Sequence, residues 1–514
     1  MGNLAIRPFA VLLVVCALVF GLNSSAAAAS EPVSDAVKRH DTAALQGILA
    51  AKTADVNTKE ADGSTALHWA AYGDDAEATE LLLRAGANPQ LANRHGVTPL
   101  WLAGLNGNAR VIDLLLKAGA SPNTAVPGGE TVLMTTARTG KVDAVKVLLL
   151  HRADVNAQDS ARGQTALMWA AAEGHTAVVE ALVEAGAQLA TRSRGGFTAF
   201  LFAVREGKID TVQSLLRNGA DVNETTVRPP GFSRAAVPGY ALGLRPQGPT
   251  SALVLAVGSG HFELASVLLD AGANANAAQQ GWTALHHLTW VRKCGQGDNK
   301  PCPTVTGSID GLELARRLVK HGADVNARMT ERAPMGTTEV GNIGETPFLL
   351  AARTADVELM RELHTLGAKP LVANDEGTTP LMAAAGCGTY SPGGDPGTDS
   401  EALAAVKFAF ELGGDVNTID QRGCTAMHGA AYKFFPSVVR FLDANGARIE
   451  IWNKKDKFGF VPLTIAEGIL RAPTAVGDHF RQDPETAAAI REVMKGAAPG
   501  TESNVPVIAA TLQN

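Results

Sequence analysis

The most constraining feature of this sequence is a glycine-containing turn that recurs at intervals of 33 residues in the first half of the chain. It reads AGAN, AGAS, AGAQ, NGAD, AGAN and HGAD in successive copies. The turn glycines are Gly86, Gly119, Gly186, Gly219, Gly272 and Gly322, and related turns contain Gly367, Gly413 and Gly446. Such a period is typical of a helical solenoid, in which each repeat packs only on its neighbours.

One unit, residues 163–189, shows the pattern most clearly. Thr165 is suited to cap a first helix that ends at Gly174, because its hydroxyl accepts a hydrogen bond from a first-turn amide. A second helix is predicted from Thr176 to Ala185, and Gly186 follows where a left-handed residue ends a helix. Two helices this short cannot bury their apolar faces alone, so the unit needs neighbouring copies.

The composition excludes one class of partner. The chain has 514 residues, 46% of them hydrophobic, and a net charge of −6. No basic stretch is available to neutralise phosphates, and aromatic residues are few, so we expect no binding of nucleic acid.

The first 29 residues differ from the rest. Arg7 is their only charged side chain, an apolar run extends over residues 9–22, and small residues occupy 26–29. This order is typical of a bacterial secretory signal peptide, and we predict cleavage near Ala29 and a periplasmic or secreted mature chain with no membrane segment. An uncleaved membrane anchor is the alternative, although the apolar run is short for one.

The repeated residues resemble the ankyrin-repeat family. Its turn-and-helix signature is found as Gly63-Ser64-Thr65-Ala66-Leu67-His68, Gly96-Val97-Thr98-Pro99-Leu100, Gly281-Trp282-Thr283-Ala284-Leu285-His286 and Gly377-Thr378-Thr379-Pro380-Leu381. The resemblance covers residues 40–470. It implies an all-α, ankyrin-type solenoid of about ten full repeats with partial caps, whose first helices and finger-like loops line a concave groove. Arg152 departs from the pattern, because it occupies a turn-glycine position.

The repeats divide the chain into six segments. We predict a signal peptide (1–29), an N-terminal capping repeat (30–61), regular repeats (62–224), repeats with long loop insertions (225–422), C-terminal repeats with a cap (423–496) and a disordered tail (497–514).

Four insertions interrupt the period in the second half of the chain. They are expected in residues 224–247, 294–308, 328–343 and 388–400. Because insertions in solenoids map to loops that are often on the binding face, we predict a walled cleft over residues 218–416. Surface loops without a function are the alternative, since added loop residues cost little entropy.

The resemblance also indicates which side chains face the groove. One exposed position at the end of each first helix is predicted to do so. Aromatic residues and arginine are the usual energetic anchors of interfaces. The predicted partner-binding residues are therefore Tyr72, Arg205, Trp290, Arg353 and Tyr432.

The histidines and tryptophans of the first helices are predicted to have structural roles. His68, His286 and His428 are predicted to tie neighbouring turns by hydrogen bonds, and His287 to be a buried neutral histidine. A metal site of His286, His287 and Cys294 is disfavoured, because adjacent histidines on a helix point in different directions. Trp69 and Trp169 are predicted to lie in the core.

Four cysteines remain after residue 29. Cys294 and Cys302 flank a short turn, so a disulfide between them is predicted for an exported protein, with two free thiols as the alternative. Cys387 and Cys424 are assigned to opposite ends of first helices in adjoining repeats. Nine helical residues would hold them too far apart to bridge, and both are predicted to be free thiols.

The sequence predicts a binding function. It contains no phosphate-binding glycine loop, nucleophile elbow or zinc-protease signature, and we expect no metal, no cofactor and no catalysis. The prediction is a monomeric scaffold that binds a partner protein in its groove. The alternatives are an enzyme with a site in the cleft of residues 218–416, and a protective or immunity partner of an exported enzyme.

Overall fold

The computed structural model describes residues 33–52, 54–227, 249–293, 303–331, 343–388, 397–468 and 482–495. The chain divides into two compact units between Arg234 and Ala235. The secondary structure of the described residues is helical, with two isolated β-bridges and no strand. The predicted all-α, ankyrin-type fold class is confirmed.

The described residues of the N-terminal unit form six helix pairs. They are α1 (Val33–Lys38) and α2 (Thr42–Ala51), α3 (Ala66–Tyr72) and α4 (Ala76–Arg84), α5 (Pro99–Asn106) and α6 (Ala109–Lys117), α7 (Val132–Thr139) and α8 (Val142–Leu150), α9 (Ala166–Glu173) and α10 (Thr176–Glu184), and α11 (Ala199–Arg205) and α12 (Ile209–Arg217). First helices pack on first helices and second helices on second helices, so two parallel layers enclose the core.

The C-terminal unit continues the same pairing. Its helices are α13 (Ala252–Gly258), α14 (Phe262–Asp270), α15 (Ala284–Arg292), α16 (Gly311–Lys320), α17 (Pro347–Arg353), α18 (Val357–Thr365), α19 (Pro380–Ala384), α20 (Asp399–Glu411), α21 (Ala426–Lys433), α22 (Pro436–Ala444), α23 (Ile449–Trp452), α24 (Pro462–Ala466) and α25 (Pro484–Met494). Ten helix pairs therefore run from α3 to α22, and outer pairs precede and follow them.

Local sequence accounts for where the helices begin and end. The Thr165 hydroxyl accepts a hydrogen bond from the Met168 amide at 3.3 Å, and Gly186 is left-handed with φ of 89°. Arg152 takes the same left-handed conformation, with φ of 65°. A side chain in this conformation costs about 1–2 kcal/mol, which a stack of many repeats tolerates.

The predicted N-terminal capping repeat contains two helices, α1 and α2. The short helix α1 precedes α2, because Val33, Ala36 and Val37 are apolar on one side and are buried where α1 packs on α3. No helix among the described residues has the length and apolar character needed to cross a membrane.

A ladder of asparagines connects successive turns. In each of these connections, or rungs, the side-chain NH₂ group of the asparagine donates to the carbonyl oxygen of the turn glycine in the next repeat. The side-chain oxygen of the same asparagine accepts from the backbone amide of the residue two positions after that glycine. Asn326 shows both bonds, to Gly367 O at 3.2 Å and from the Lys369 amide at 2.8 Å. The same pair of bonds is made by Asn57, Asn156, Asn276 and Asn417.

Replacing Asn326 with alanine should lower the free energy of unfolding of the C-terminal unit by about 1–2 kcal/mol, because two partly exposed hydrogen bonds are lost. Urea unfolding of the full chain measures the change. Asn326→Asp keeps the side-chain oxygen that accepts from the Lys369 amide, so it should lower the free energy of unfolding by less. Equal losses for the two variants would show that the bond from the Lys369 amide contributes nothing.

Candidate functional site

The predicted groove position is the seventh residue after each capping threonine or serine. In the N-terminal unit this position is accessible. Tyr72 is 54% exposed, Leu105 is 38% exposed and the Arg205 side chain is 37% exposed. Arg138, at the same position of α7, is half-buried. These side chains lie on first helices that pack side by side, so they form one continuous surface.

The residue one turn earlier on each first helix adds to this surface. Residues three apart on a helix lie on the same face. We use the name first-helix face for the two positions together in the N-terminal unit. Its members with large and accessible side chains are Trp69, Tyr72, Leu102, Leu105, Arg138, Trp169 and Arg205. Trp69 and Trp169 are half-buried, so the prediction that they belong to the core is only partly correct.

The two tryptophans of the first-helix face have unusual surroundings. The Nε1 of Trp69 and of Trp169 is shielded from solvent and has no hydrogen-bond partner among the described residues. Each ring is covered by a cation, with Lys38 Nζ 4.5 Å from the Trp69 centroid and Arg138 Cζ 5.3 Å from the Trp169 centroid. Contacts of this kind stabilise a cation over an aromatic ring. The face therefore combines apolar rings with long cationic side chains.

The cations of this face have acidic neighbours. Lys38 pairs with Glu60 at 2.5 Å, and Arg205 pairs with Glu206 at 2.8 Å. Because such pairs offset much of the positive charge, the chemistry of the face is dominated by aromatic and aliphatic area. That chemistry suits a protein partner more than a polyanion.

In the C-terminal unit, three predicted anchors are buried, which corrects the prediction that they are exposed. Trp290 is 7% exposed and packs edge-on against Trp282 and His287. Tyr432 is 4% exposed, and its hydroxyl donates to Asp456 Oδ2 at 2.8 Å. The physical reason is that each position has partners within the unit, from the same repeat for Trp290 and from the next repeat for Tyr432.

Arg353 is the third of these anchors. It is 7% exposed, and its guanidinium pairs with Glu345, whose side chain is fully buried. Arg353 Nη1 also donates to the carbonyl oxygen of Cys387 at 3.3 Å. The side chain therefore joins two repeats within the unit.

The histidine interpretation is confirmed. His286 Nδ1 accepts from the Thr283 amide at 3.2 Å, and its Nε2 contacts the carbonyl oxygens of Ala327 and Glu345 at 3.0 and 3.1 Å. Burial lowers the pKa of His286 to about 4, against the opposing effect of those carbonyls. His68 and His428 make equivalent bonds, to Val97 O and Lys454 O.

His287 is neutral, as predicted. Burial lowers its pKa to about 4, and Trp282 Nε1 donates to its Nδ1 at 3.2 Å. Cys294, the third member of the disfavoured metal site, lies outside the described residues. The nitrogens of His286 are both engaged within the protein, so this histidine is not free to bind a metal.

The cysteine predictions have different outcomes. Cys294 and Cys302 lie outside the described residues, as does most of each loop insertion. Cys387 and Cys424 are bonded to each other as a disulfide, with Cα atoms 6.5 Å apart, so the prediction of two free thiols is wrong. The prediction assumed a first helix of full length, whereas α19 contains five residues and ends before Cys387.

One described cavity bears on the alternative of an enzyme. It has a volume of 370 Å³ in the N-terminal unit, and its charged lining residues are Arg192, Asp221 and Glu224. Arg192 pairs with Glu224 at 3.0 Å, and burial raises the pKa of Glu224. The lining contains no histidine, serine or cysteine.

Comparison with known families agrees with the helix pairs. The family model described as ankyrin repeats (3 copies) matches residues 33–126 and 128–226. A search of curated proteins finds no match to the chain. The helix pairing of the matched residues continues from α13 to α22. The matched part of the chain, residues 33–226, consists of ankyrin repeats.

Proposed function

We propose that the protein is an exported scaffold that binds a partner protein through the first-helix face of its N-terminal unit. Ankyrin repeats generally mediate protein–protein interactions. The observation that carries the proposal is the exposure of Tyr72 and Leu105, two large apolar side chains on adjacent first helices. Together with the neighbouring Trp69 ring, they form an apolar patch of the kind that marks interaction sites.

The indole nitrogens of Trp69 and Trp169, which have no hydrogen-bond partner among the described residues, support the proposal that the partner binds this surface. A shielded N–H without a partner is unfavourable. A small rotation of the half-buried Trp69 or Trp169 ring would present this donor to a carbonyl oxygen of the partner. Binding would thereby gain a hydrogen bond that the free protein lacks. Tryptophan and tyrosine are frequent at the centres of interfaces because they combine apolar area with one polar group.

Site-specific photo-crosslinking tests the location of the partner. A photoreactive phenylalanine analogue at Leu105 or Tyr72 should give a defined cross-linked product in cells that express the full chain. Leu150 is the matched control, since it is 79% exposed but ends the second helix α8. Equal products from positions 105 and 150, or none from 72 and 105, would contradict the proposal.

Export is the second part of the proposal and rests on residues 1–29. Fractionation of the same cells, followed by N-terminal sequencing, should place a chain beginning near Ser30 outside the cytoplasm. An intact N-terminus on a cytoplasmic protein would contradict this part alone. The alternative of an enzyme requires the cleft of residues 218–416, whereas a protective or immunity partner of an exported enzyme would still have a binding role. Both alternatives remain predictions.

A further inference from the structure

The disulfide-bonded cysteines of the C-terminal unit belong to adjacent repeats. Cys387 follows α19 and is fully buried, and Cys424 precedes α21 and is 5% exposed. Their Cα atoms are 6.5 Å apart, within the range that a disulfide spans without moving the backbone. The two residues are separated by 37 positions in the sequence.

Glycine accounts for this close approach. After α19 the chain turns back through Gly386, whose φ of 103° is left-handed. The returning segment lies against α21 at Gly429, where a Cβ atom would overlap the backbone nitrogen of Cys387. Any other residue at position 429 would push Cys387 away from α21. Gly386 and Gly429 therefore allow Cys387 to lie beside Cys424.

A carboxylate accompanies the two sulfurs. Asp420 Oδ2 lies 3.6 Å from Cys387 Sγ, and the three side chains offer ligand atoms within 4.8 Å of one another. A metal site is nevertheless disfavoured. Asp420 Oδ2 already accepts from Arg422 Nη2 at 2.7 Å and from the Thr378 hydroxyl at 3.1 Å. A metal cation bound there would be adjacent to the guanidinium cation of Arg422.

We propose that Cys387 and Cys424 form a redox-dependent lock between two adjacent repeats. With a small-molecule disulfide such as oxidised glutathione as the oxidant, one cysteine thiolate attacks the glutathione disulfide and releases one glutathione thiol. The second cysteine thiolate then displaces the other glutathione. The two cysteines lose two protons and two electrons, and two glutathione thiols are the products.

The disulfide should make local unfolding of the C-terminal repeats less frequent. Linking residues 37 positions apart reduces the entropy of the opened segment. The chain-entropy relation for a loop of this length corresponds to a population of opened segment several hundred-fold lower, as an order-of-magnitude value. When the disulfide is present, helices α19 to α22 should therefore unfold locally as one unit. This opening should be much rarer than in the reduced protein.

The first measurement identifies the bond. The purified full chain is equilibrated with oxidised and reduced glutathione, alkylated, digested and analysed by mass spectrometry. We expect one pair of linked peptides that contains Cys387 and Cys424. Two alkylated cysteines at these positions in the folded, oxidised protein would overturn the proposal, as would one stoichiometric zinc ion bound by the pair.

The second measurement tests the lock by hydrogen exchange. A reductant should accelerate exchange of α19–α22 amides by up to several hundred-fold in the unaltered chain. It should have no such effect in Cys387→Ser, whose exchange is already fast. The matched control Cys294→Ser/Cys302→Ser removes the other pair and should keep the full response. A response lost in this control and kept in Cys387→Ser would overturn the proposal.

Discussion

Replacing Arg353 with alanine should lower the free energy of unfolding of the C-terminal unit by about 3–5 kcal/mol. The change leaves Glu345 fully buried without its cationic partner, and it removes the hydrogen bond to the Cys387 carbonyl. Burying an uncompensated charge is among the most costly single changes in a protein. Urea unfolding, read by hydrogen exchange of the α17–α19 peptides, measures the effect.

Arg205 is the matched control for this prediction, because it occupies the same position of its own repeat. Its partner Glu206 is exposed, so Arg205→Ala should change stability by less than about 1 kcal/mol. In the double variant Arg353→Met/Glu345→Gln, both charges are absent, and most of the lost stability should return. Similar losses for Arg353→Ala and Arg205→Ala would refute the structural role of Arg353.

Acidification should destabilise the C-terminal unit well before carboxylates are protonated. The pKa of His286 is about 4 in the folded protein and about 6.5 in the unfolded chain. The unfolded state therefore binds the proton more tightly. The stabilising contribution of neutral His286 is complete above pH 6.5 and is lost as the pH falls towards 4. The expected loss from this residue is about 2 kcal/mol at pH 5.

The main physical cause is the burial of His286, which disfavours the charged imidazolium. Protonation of Nδ1 would leave two donors, Nδ1–H and the Thr283 amide, facing each other at 3.2 Å. His287 should add a comparable loss, because burial also lowers its pKa to about 4. Urea unfolding at several pH values measures the total.

Two variants separate His286 from the other titratable groups. In His286→Gln, the dependence of stability on pH between 6.5 and 4 should be shallower by the amount assigned to this residue. His95→Gln, which replaces an exposed histidine, is the control. If the two variants follow the same curve, the acid sensitivity arises elsewhere in the protein.

The repeat period was sufficient to predict the fold, because the capping threonines and turn glycines act within one or two turns of helix. Thr165, Gly174 and Gly186 take the roles that local chemistry assigns to them. The histidines were predictable for the same reason. Each bonds to its own capping residue and to the next repeat along the chain.

Exposure at the groove position could not be predicted from one repeat. Tyr72 and Tyr432 occupy equivalent positions, yet only Tyr432 has Asp456, 24 residues later, as a buried partner for its hydroxyl. The cysteine prediction failed because α19 is short, which a period measured on other repeats does not reveal. Both errors come from assuming that every repeat is identical.

The asparagine ladder has an evolutionary consequence. Each rung recognises only main-chain atoms of the following repeat, namely a glycine carbonyl and one amide. The amides belong to five chemically different residues, which are Asn88, Gln188, Asp324, Lys369 and Arg448. Because these hydrogen bonds involve no side chain of the following repeat, they do not depend on which side chains that repeat carries at the bonded positions. Gene duplication or recombination could therefore insert or exchange whole repeats while preserving these bonds, leaving the exposed side chains free to diversify.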